Sequence, residues 1–247
     1  MLIMSKLWTV IGIPPKQTYP WLMRKHYAKR IPNIMYSYGL FINGVAQGII
    51  TYGMPPSPFL ASGICGEKYA SCVIELNRLC VNEGHDKNIP SYLVSRSLRM
   101  LPRPSIVVSY ADTSMGHIGY VYQASNWIYT GLSDRHVKWH TVGTNDVHER
   151  HSFDAYGGIN KAKHILGEKM VKGERPRKHR YVYFAGTNRE KKQMREALRY
   201  KVCPYPKGQT KRYDSGDKVA SQMAFAINIQ TAEQVVAQEG RKIGYIR

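Results

Sequence analysis

Residues Ser105 to Gly131 read SIVVSYADTSMGHIGYVYQASNWIYTG. The first part, SIVVSY, is a short β-branched apolar run of the kind that forms a buried strand. Polar side chains follow at once: Asp112, Thr113, Ser114 and His117. A helix-length segment comes next, and then a second aromatic, β-branched run from Trp127 to Thr130. Groups able to move protons or ligate, placed at the carboxyl end of a buried strand, lie where sheets open to ligands. The competing reading is structural. Asp112 would then cap the following helix, and His117 would be an ordinary satisfied polar side chain.

Upstream of this stretch, TYPWLMRKHYAKRI (Thr18–Ile31) predicts a short helix after Pro14-Pro15, with Pro32 ending it. MYSYGLFINGVAQGIITYG predicts two strands joined at Asn43-Gly44, the strongest hairpin signal in the chain. MPPSP reads as a loop. VIELNRLCV (Val73–Val81) predicts a strand carrying Glu75, Asn77 and Arg78, followed by the polar loop NEGHDKN. IPSYLVSRSLRML predicts an amphipathic helix with Ile89, Leu93, Val94, Leu98 and Leu101 on one side. Downstream, Ser133 to Gly158 is polar and rich in His. RYVYFA (Arg180–Ala185) predicts a strand, REKKQMREALRYK a basic helix, and Lys218 to about Gln238 a further helix. Strands and helices alternate without the regularity of a doubly wound sheet. The expected fold is α+β (mixed α/β), a central mixed sheet flanked by helices. The expected division is a domain over 1–210 and a basic C-terminal extension over 211–247.

The chain of 247 residues carries 36 Lys and Arg against 17 Asp and Glu, a net charge of +19, with an ordinary 43% of hydrophobic residues. A field of that sign attracts polyanions, nucleic acid first. The excess is densest between residues 161 and 213. Lys161, Lys163, Lys172, Arg175, Arg177, Lys178 and Arg180 are the expected DNA-phosphate contacts, interleaved with Tyr181 and Tyr183. No apolar run reaches the roughly 20 residues of a membrane helix, and the N-terminus lacks a signal-peptide pattern. Cys65, Cys72, Cys80 and Cys203 have no C-x-x-C spacing and read as reduced thiols. These features predict a cytoplasmic protein that seeks nucleic acid and does not engage membranes.

Where the polar loop enters the predicted helix at Ile89, free backbone N–H groups favour phosphate. Lys87, Ser91 and Arg78 would add to that cradle, and Asn126 is a further candidate donor contact. The order of hairpin, strand, anion-ready loop, helix, strand, helix and strand resembles the GNAT acyltransferase fold. HDKNIPS stands where that fold usually carries Gln/Arg-x-x-Gly-x-Gly/Ala.

KLWTVIGIPPKQTYPWLMRKHYAKRIP, GMPPSP, ELNRL and YADTSMGHIGYVYQASNWIYTG together resemble the Mom family of phage DNA-modification proteins, over at least residues 5–208. The resemblance implies an enzyme that converts the exocyclic amino group of adenine in DNA to a carbamoylmethyl amine, protecting phage DNA from host restriction. It also brings acetyl-CoA and iron as suggested participants.

The product limits the chemistry, because its new group is attached through a CH₂ carbon and not through a carbonyl. One answer is a redox metal, for which His26, Tyr27 and Asp112 are the candidate iron ligands, with His117 as a fourth. The other is an activated glycine such as glycyl-tRNA, whose glycyl product is an isomer of the final one. On that route Asp112 would orient or deprotonate an amine, and His117 or Tyr122 would shuttle protons beside Ser114. The expected partners are double-stranded DNA, tRNA on the glycyl route, and a second copy in a homodimer. Trp127, Tyr122 and Tyr129 are candidates to stack on a flipped base. A weaker metal candidate pairs His136 with His140 and His148 with His151, at helical spacing. Two other function classes compete: a non-catalytic basic DNA-binding protein and a conventional acetyltransferase.

Overall fold

The computed structural model describes residues 8–84, 86–141, 153 and 156–209. Seven strands form one sheet in the order β1 (Trp8–Gly12), β2 (Tyr36–Ile42), β3 (Val45–Gly53), β4 (Val73–Val81), β5 (Ser105–Asp112), β9 (Lys178–Ala185), β6 (Ile128–Leu132). All neighbours are antiparallel except β4 and β5. Parallel neighbours need a crossover, and α3 (Ile89–Met100) supplies it. A separate two-stranded ladder pairs β7 (His136–Thr141) with β8 (Met170–Arg175). The fold is thus mixed α/β, a large mixed sheet with helices on both faces.

The strands form where branched and aromatic residues concentrate, and each face is closed by its own helices. On one face Leu93, Val94 and Leu98 of α3 pack on Tyr38, Leu40, Ile50, Tyr52, Leu76 and Val107. The opposite face has two parts. Near β1, α1 (Pro15–Pro20) and the π-helical turn Trp21–Lys25 carry Trp21 and Leu22 onto Phe41, Ile49 and Cys80. Further along, α2 (Pro58–Cys65) and α6 (Asn188–Glu196) place Ile64 and Met194 against Val73, Ile106, Val108 and Val182. Each fully buried aliphatic side chain of this kind contributes about 1.5–3 kcal/mol. A small satellite core joins Phe153, Ala162 of α5 (Ile159–Leu166) and Met170 of β8.

The Asn43-Gly44 hairpin forms as expected, both residues at positive φ (50° and 82°). The segment after β5 departs from the expected helix. It makes a 3₁₀ turn at Thr113–Met115 and then only the five-residue α4 (Tyr120–Ala124). Gly116 and Gly119 sit at φ 67° and 76°, which interrupts any continuous helix. A Cβ on Gly119 would also stand 2.4 Å from the Tyr181 ring, so this glycine lets α4 start directly on β9.

The helix expected over Thr18–Ile31 begins at Pro15 and stops at Lys25. His26 there turns to extended backbone (φ −75°, ψ 135°). Its Nδ1 accepts the Ala28 N–H at 3.0 Å, a local bond that competes with helix. β1, β7 and β8 lie in stretches not read as strands. The helix expected over Lys218–Gln238, and the extension 211–247 as a whole, lie outside the described residues. All four cysteines are free, and among the described residues no helix is long and apolar enough to cross a membrane.

Candidate active site

Pairing between β4 and β5 runs only from Val73–Ile106 to Leu76–Ser109, although β4 continues to Val81 and β5 to Asp112. The strands part beyond that point, and the parting opens a cavity of about 1190 Å³. Ser109 ties two of its lining residues, Leu76 and Tyr122, together. Its Oγ lies 2.8 Å from the Leu76 carbonyl and 2.7 Å from the Tyr122 hydroxyl. A serine has one proton, and a carbonyl can only accept. Ser109 therefore donates to Leu76, and the Tyr122 phenol donates to Ser109.

A bulge in β4 decides which of its side chains share a face. Thr51 pairs with Arg78 and Tyr52 with Leu76, leaving Asn77 as the extra residue. Its side chain is pinned. Thr51 Oγ1 donates to Asn77 Oδ1 at 2.6 Å, and Asn77 Nδ2 donates to the Asn33 carbonyl at 2.9 Å. Gly53 admits this arrangement, since a Cβ there would stand 2.8 Å from Asn77 Nδ2 and 2.0 Å from the Asn33 oxygen. The extra residue shifts the side-chain alternation. All five residues Glu75, Leu76, Arg78, Leu79 and Cys80 border the cavity, with Leu76 and Leu79 on the α3 side of the strand and Glu75, Arg78 and Cys80 on the other.

Burial raises the Glu75 carboxyl to about 7 against the pull of Arg78 and Lys178. Burial also lowers the Arg78 guanidinium below its ordinary value. Arg78 Nη1 donates to the Asn77 carbonyl at 2.6 Å. Its buried Nε has no hydrogen-bond partner among the described residues.

Opposite stands an aromatic group. His26 stacks on Tyr27 at 4.3 Å between ring centres, and the His117 ring meets Tyr27 edge-on at 5.7 Å. Burial, with the charges of Arg78, His117 and Lys178, lowers His26 to about 3. Accepting from Ala28 through Nδ1, it is a neutral imidazole with its proton on Nε2. Burial likewise lowers His117, with Asp112 pulling the other way. Burial raises the Tyr27 phenol well above its usual range.

Asp112 Oδ1 accepts from the Ser114 amide (3.0 Å) and hydroxyl (2.6 Å), and Oδ2 is 2.9 Å from Lys178 Nζ. Burial opposes its ionisation, but Lys178 and Ser114 outweigh it and hold the carboxyl below its ordinary value. Asp112 is therefore a fixed carboxylate that caps the 3₁₀ turn, and Ser114 serves it.

The three candidate iron ligands have other partners in the structure: Asp112 holds Lys178 and Ser114, His26 Nδ1 accepts the Ala28 N–H, and Tyr27 stacks on His26. No three His, Cys, Asp or Glu side chains among the described residues gather as a metal site. His136 and His140 lie on strand β7, not on a helix. Four residues of strand separate them by about 13 Å, too far for a shared ion. His148 and His151 lie outside the described residues.

Lys87 and Ser91 line the cavity with Asn88 at the entry to α3, and Ser91 Oγ donates to the Asn88 carbonyl. Asn126 does not join them. It sits exposed at φ 59° in the turn between α4 and β6. The basic residues separate into two sets. Lys161, Lys163, Lys172 and Arg175 are exposed, and Lys163 and Lys172 hold their ammonium groups 4.3 and 5.1 Å from the Trp139 ring. Arg177 is tied to the Ser133 and Leu132 carbonyls, and Lys178 to Asp112. Arg180 is buried against Thr130 and the Tyr200 ring.

Trp127, Tyr122 and Tyr129 are core residues at 1%, 7% and 7% exposure, and of the three only Tyr122 borders the cavity. Tyr27 and Glu75 are among the groups that line the cavity, and Glu75 was not among the expected site residues. Glu75 was visible only as a polar residue on a strand. The clue to its placement was the three-residue spacing of Leu76 and Leu79, which alternation alone does not allow.

The Mom protein family pattern matches residues 7–207. The chain belongs to the Mom family. A relative from Escherichia phage Mu, the methylcarbamoylase Mom, is 27% identical over 203 residues, covering 76% of this chain and 80% of the relative. The cavity is thus the candidate active site of a Mom-family enzyme. Solved structures similar to the chain include a GNAT-family acetyltransferase from Bacillus cereus (13% identity, TM-score 0.38, 72% of this chain and 97% of that one). Another is a putative acetyltransferase from Salmonella typhimurium with its cofactor acetyl-CoA (10% identity, TM-score 0.41, 73% and 95%).

Proposed function

We propose that this Mom-family chain converts the exocyclic amino group of adenine in DNA to a carbamoylmethyl amine, acting in the cytoplasm of a phage-infected cell. The observation that carries the reading is the facing of Glu75 and Arg78 with Tyr27 across one cavity, in a chain of net charge +19. Tyr27, flanked by His26 and His117, offers a purine an aromatic surface. Arg78 Nε is a buried donor that fits an acyl oxygen or a phosphate. The mouth of α3, with Lys87 and Ser91, suits the phosphate of a donor.

The donor these residues suit is an activated glycine, glycyl-tRNA. The adenine amine attacks the ester carbonyl, and the terminal ribose hydroxyl of the tRNA leaves with a proton. The new amide carries a free glycyl amine. That amine attacks C6 of the ring, forming a five-membered spiro intermediate. The bond from C6 to the original nitrogen then breaks. C6 is left joined to NH–CH₂–C(O)NH₂, an isomerisation without oxidant or reductant. One proton leaves the attacking nitrogen and one reaches the departing nitrogen. Glu75, titrating about 7, is poised to make both transfers. Arg78 would stabilise the oxygen of the first tetrahedral intermediate.

Cells making the protein would be fed labelled glycine or labelled acetate, and the modified nucleoside analysed. Label from glycine in the carbamoylmethyl group supports this donor; label from acetate alone would rule it out.

A further inference from the structure

The motif GMPPSP has no part in the chemistry above, yet its surroundings are unusual. Met54 is 65% exposed and Phe59 86% exposed. These are large apolar side chains left in water on one short segment. The segment is stiff: Pro55, Pro56 and Pro58 fix its backbone, and Ser57 caps α2 by accepting the Phe59 N–H at 3.2 Å. Pro56, Ser57, Phe59 and Leu60 form part of the cavity wall. The other walls carry Lys87, Arg175 and Lys178. An exposed apolar prow beside a cationic opening matches a duplex, whose phosphates meet the charge and whose base stack receives the apolar group.

We propose that Phe59, backed by Met54, is a wedge that enters the DNA base stack and fills the place of the target adenine while that base occupies the cavity. The proposal rests on the reading of adenine in DNA as substrate. It follows from the shape of the site. Glu75 and Arg78 line a cavity in the parting of β4 and β5, and a base presented to a cavity must leave the stack. Extrusion costs unpairing and unstacking, and an inserted apolar side chain offsets part of that cost. Phe59 is a positioning residue and does not touch the reacting atoms.

The test uses the full chain, its Phe59→Ala variant and a Phe59→Leu variant. A set of duplexes carries 2-aminopurine at each adenine in turn, and fluorescence reports unstacking. Plasmid DNA from cells making each protein is digested and its modified adenine measured. The proposal expects a fluorescence rise with the wild-type chain at the target position. With Phe59→Ala that rise falls at least fivefold at saturating protein, plasmid modification falls at least tenfold, and Phe59→Leu restores a substantial part of both. Modification of a target adenine placed opposite an abasic site, measured in cell extract, falls less than twofold in Phe59→Ala, because that base is already unpaired. Unchanged plasmid modification in Phe59→Ala, or equal losses on paired and unpaired adenine, would overturn the wedge. Absence of modified adenine with the wild-type chain would instead overturn the functional reading on which it rests.

Discussion

Asp112 and Lys178 are direct cross-strand partners at the last rung of the β5–β9 ladder, and their side chains join at 2.9 Å at the edge of the cavity. The same carboxylate caps the turn Thr113–Met115, which leads into His117. One residue thus ties the end of the sheet to the loop beneath the Tyr27 ring.

Asp112→Ala should destabilise the protein by about 1–3 kcal/mol, through loss of a cap and of a half-buried partner. Lys178→Met should cost less, and the double variant should be less destabilised than the sum of the two. Urea unfolding of the four proteins measures this coupling, and strict additivity would show that the pair is not energetically joined.

Glu75 has its folded value raised, to about 7 from 4.5. The native state therefore holds a proton that the unfolded chain releases, so this group lowers stability as pH rises from about 4.5 through 7. Glu75→Gln removes that loss and should stabilise the protein above pH 7 by about 3 kcal/mol at most. The same change should abolish modification. A Glu75→Gln protein that is active, or no more stable than wild type at pH 8, would remove Glu75 from the mechanism.

His26 is held neutral, its folded value depressed to about 3 from 6.5. The unfolded chain takes up the proton first, so stability present above about pH 6.5 is lost as pH falls toward 3. His26→Gln keeps an acceptor for the Ala28 N–H but cannot titrate. Its unfolding free energy should fall less steeply than wild type's over that window.

Lys163 and Lys172 share the Trp139 ring on the β7–β8 ladder and its helix α5. Replacing both by Ala should weaken DNA binding and reduce the slope of log affinity against log salt by about 2. Arg180→Lys should instead reduce thermal stability, because the buried guanidinium is bonded to Thr130 and stacked on Tyr200.

Much of the sheet was legible because its strands obey local rules: β4 and β5 are continuous apolar or alternating runs, and Asn43-Gly44 marks its own hairpin. The site was less so. A bulge is a non-local event, settled by Asn77 bonding to Asn33 and Thr51, and only it brings Glu75 and Arg78 to one face. Asp112 and His117 stood out in the sequence and do reach the cavity edge. Nothing in their spacing told that Lys178 would occupy the carboxylate. The aromatic residues of YVYQASNWIY could stack on a base or fill a core, and composition does not separate the two. Tyr122, Trp127 and Tyr129 join the core beside α3, whereas Tyr120 is left exposed on the cavity wall.

The most direct measurement compares DNA from cells making the wild-type chain with DNA from cells making equal amounts of folded Glu75→Gln, each digested to nucleosides and resolved by mass spectrometry. The account predicts adenine carrying a carbamoylmethyl group in the first sample and unmodified adenine alone in the second. Unmodified adenine in both, a plain acetyl group on adenine, or equal modification in both would contradict it.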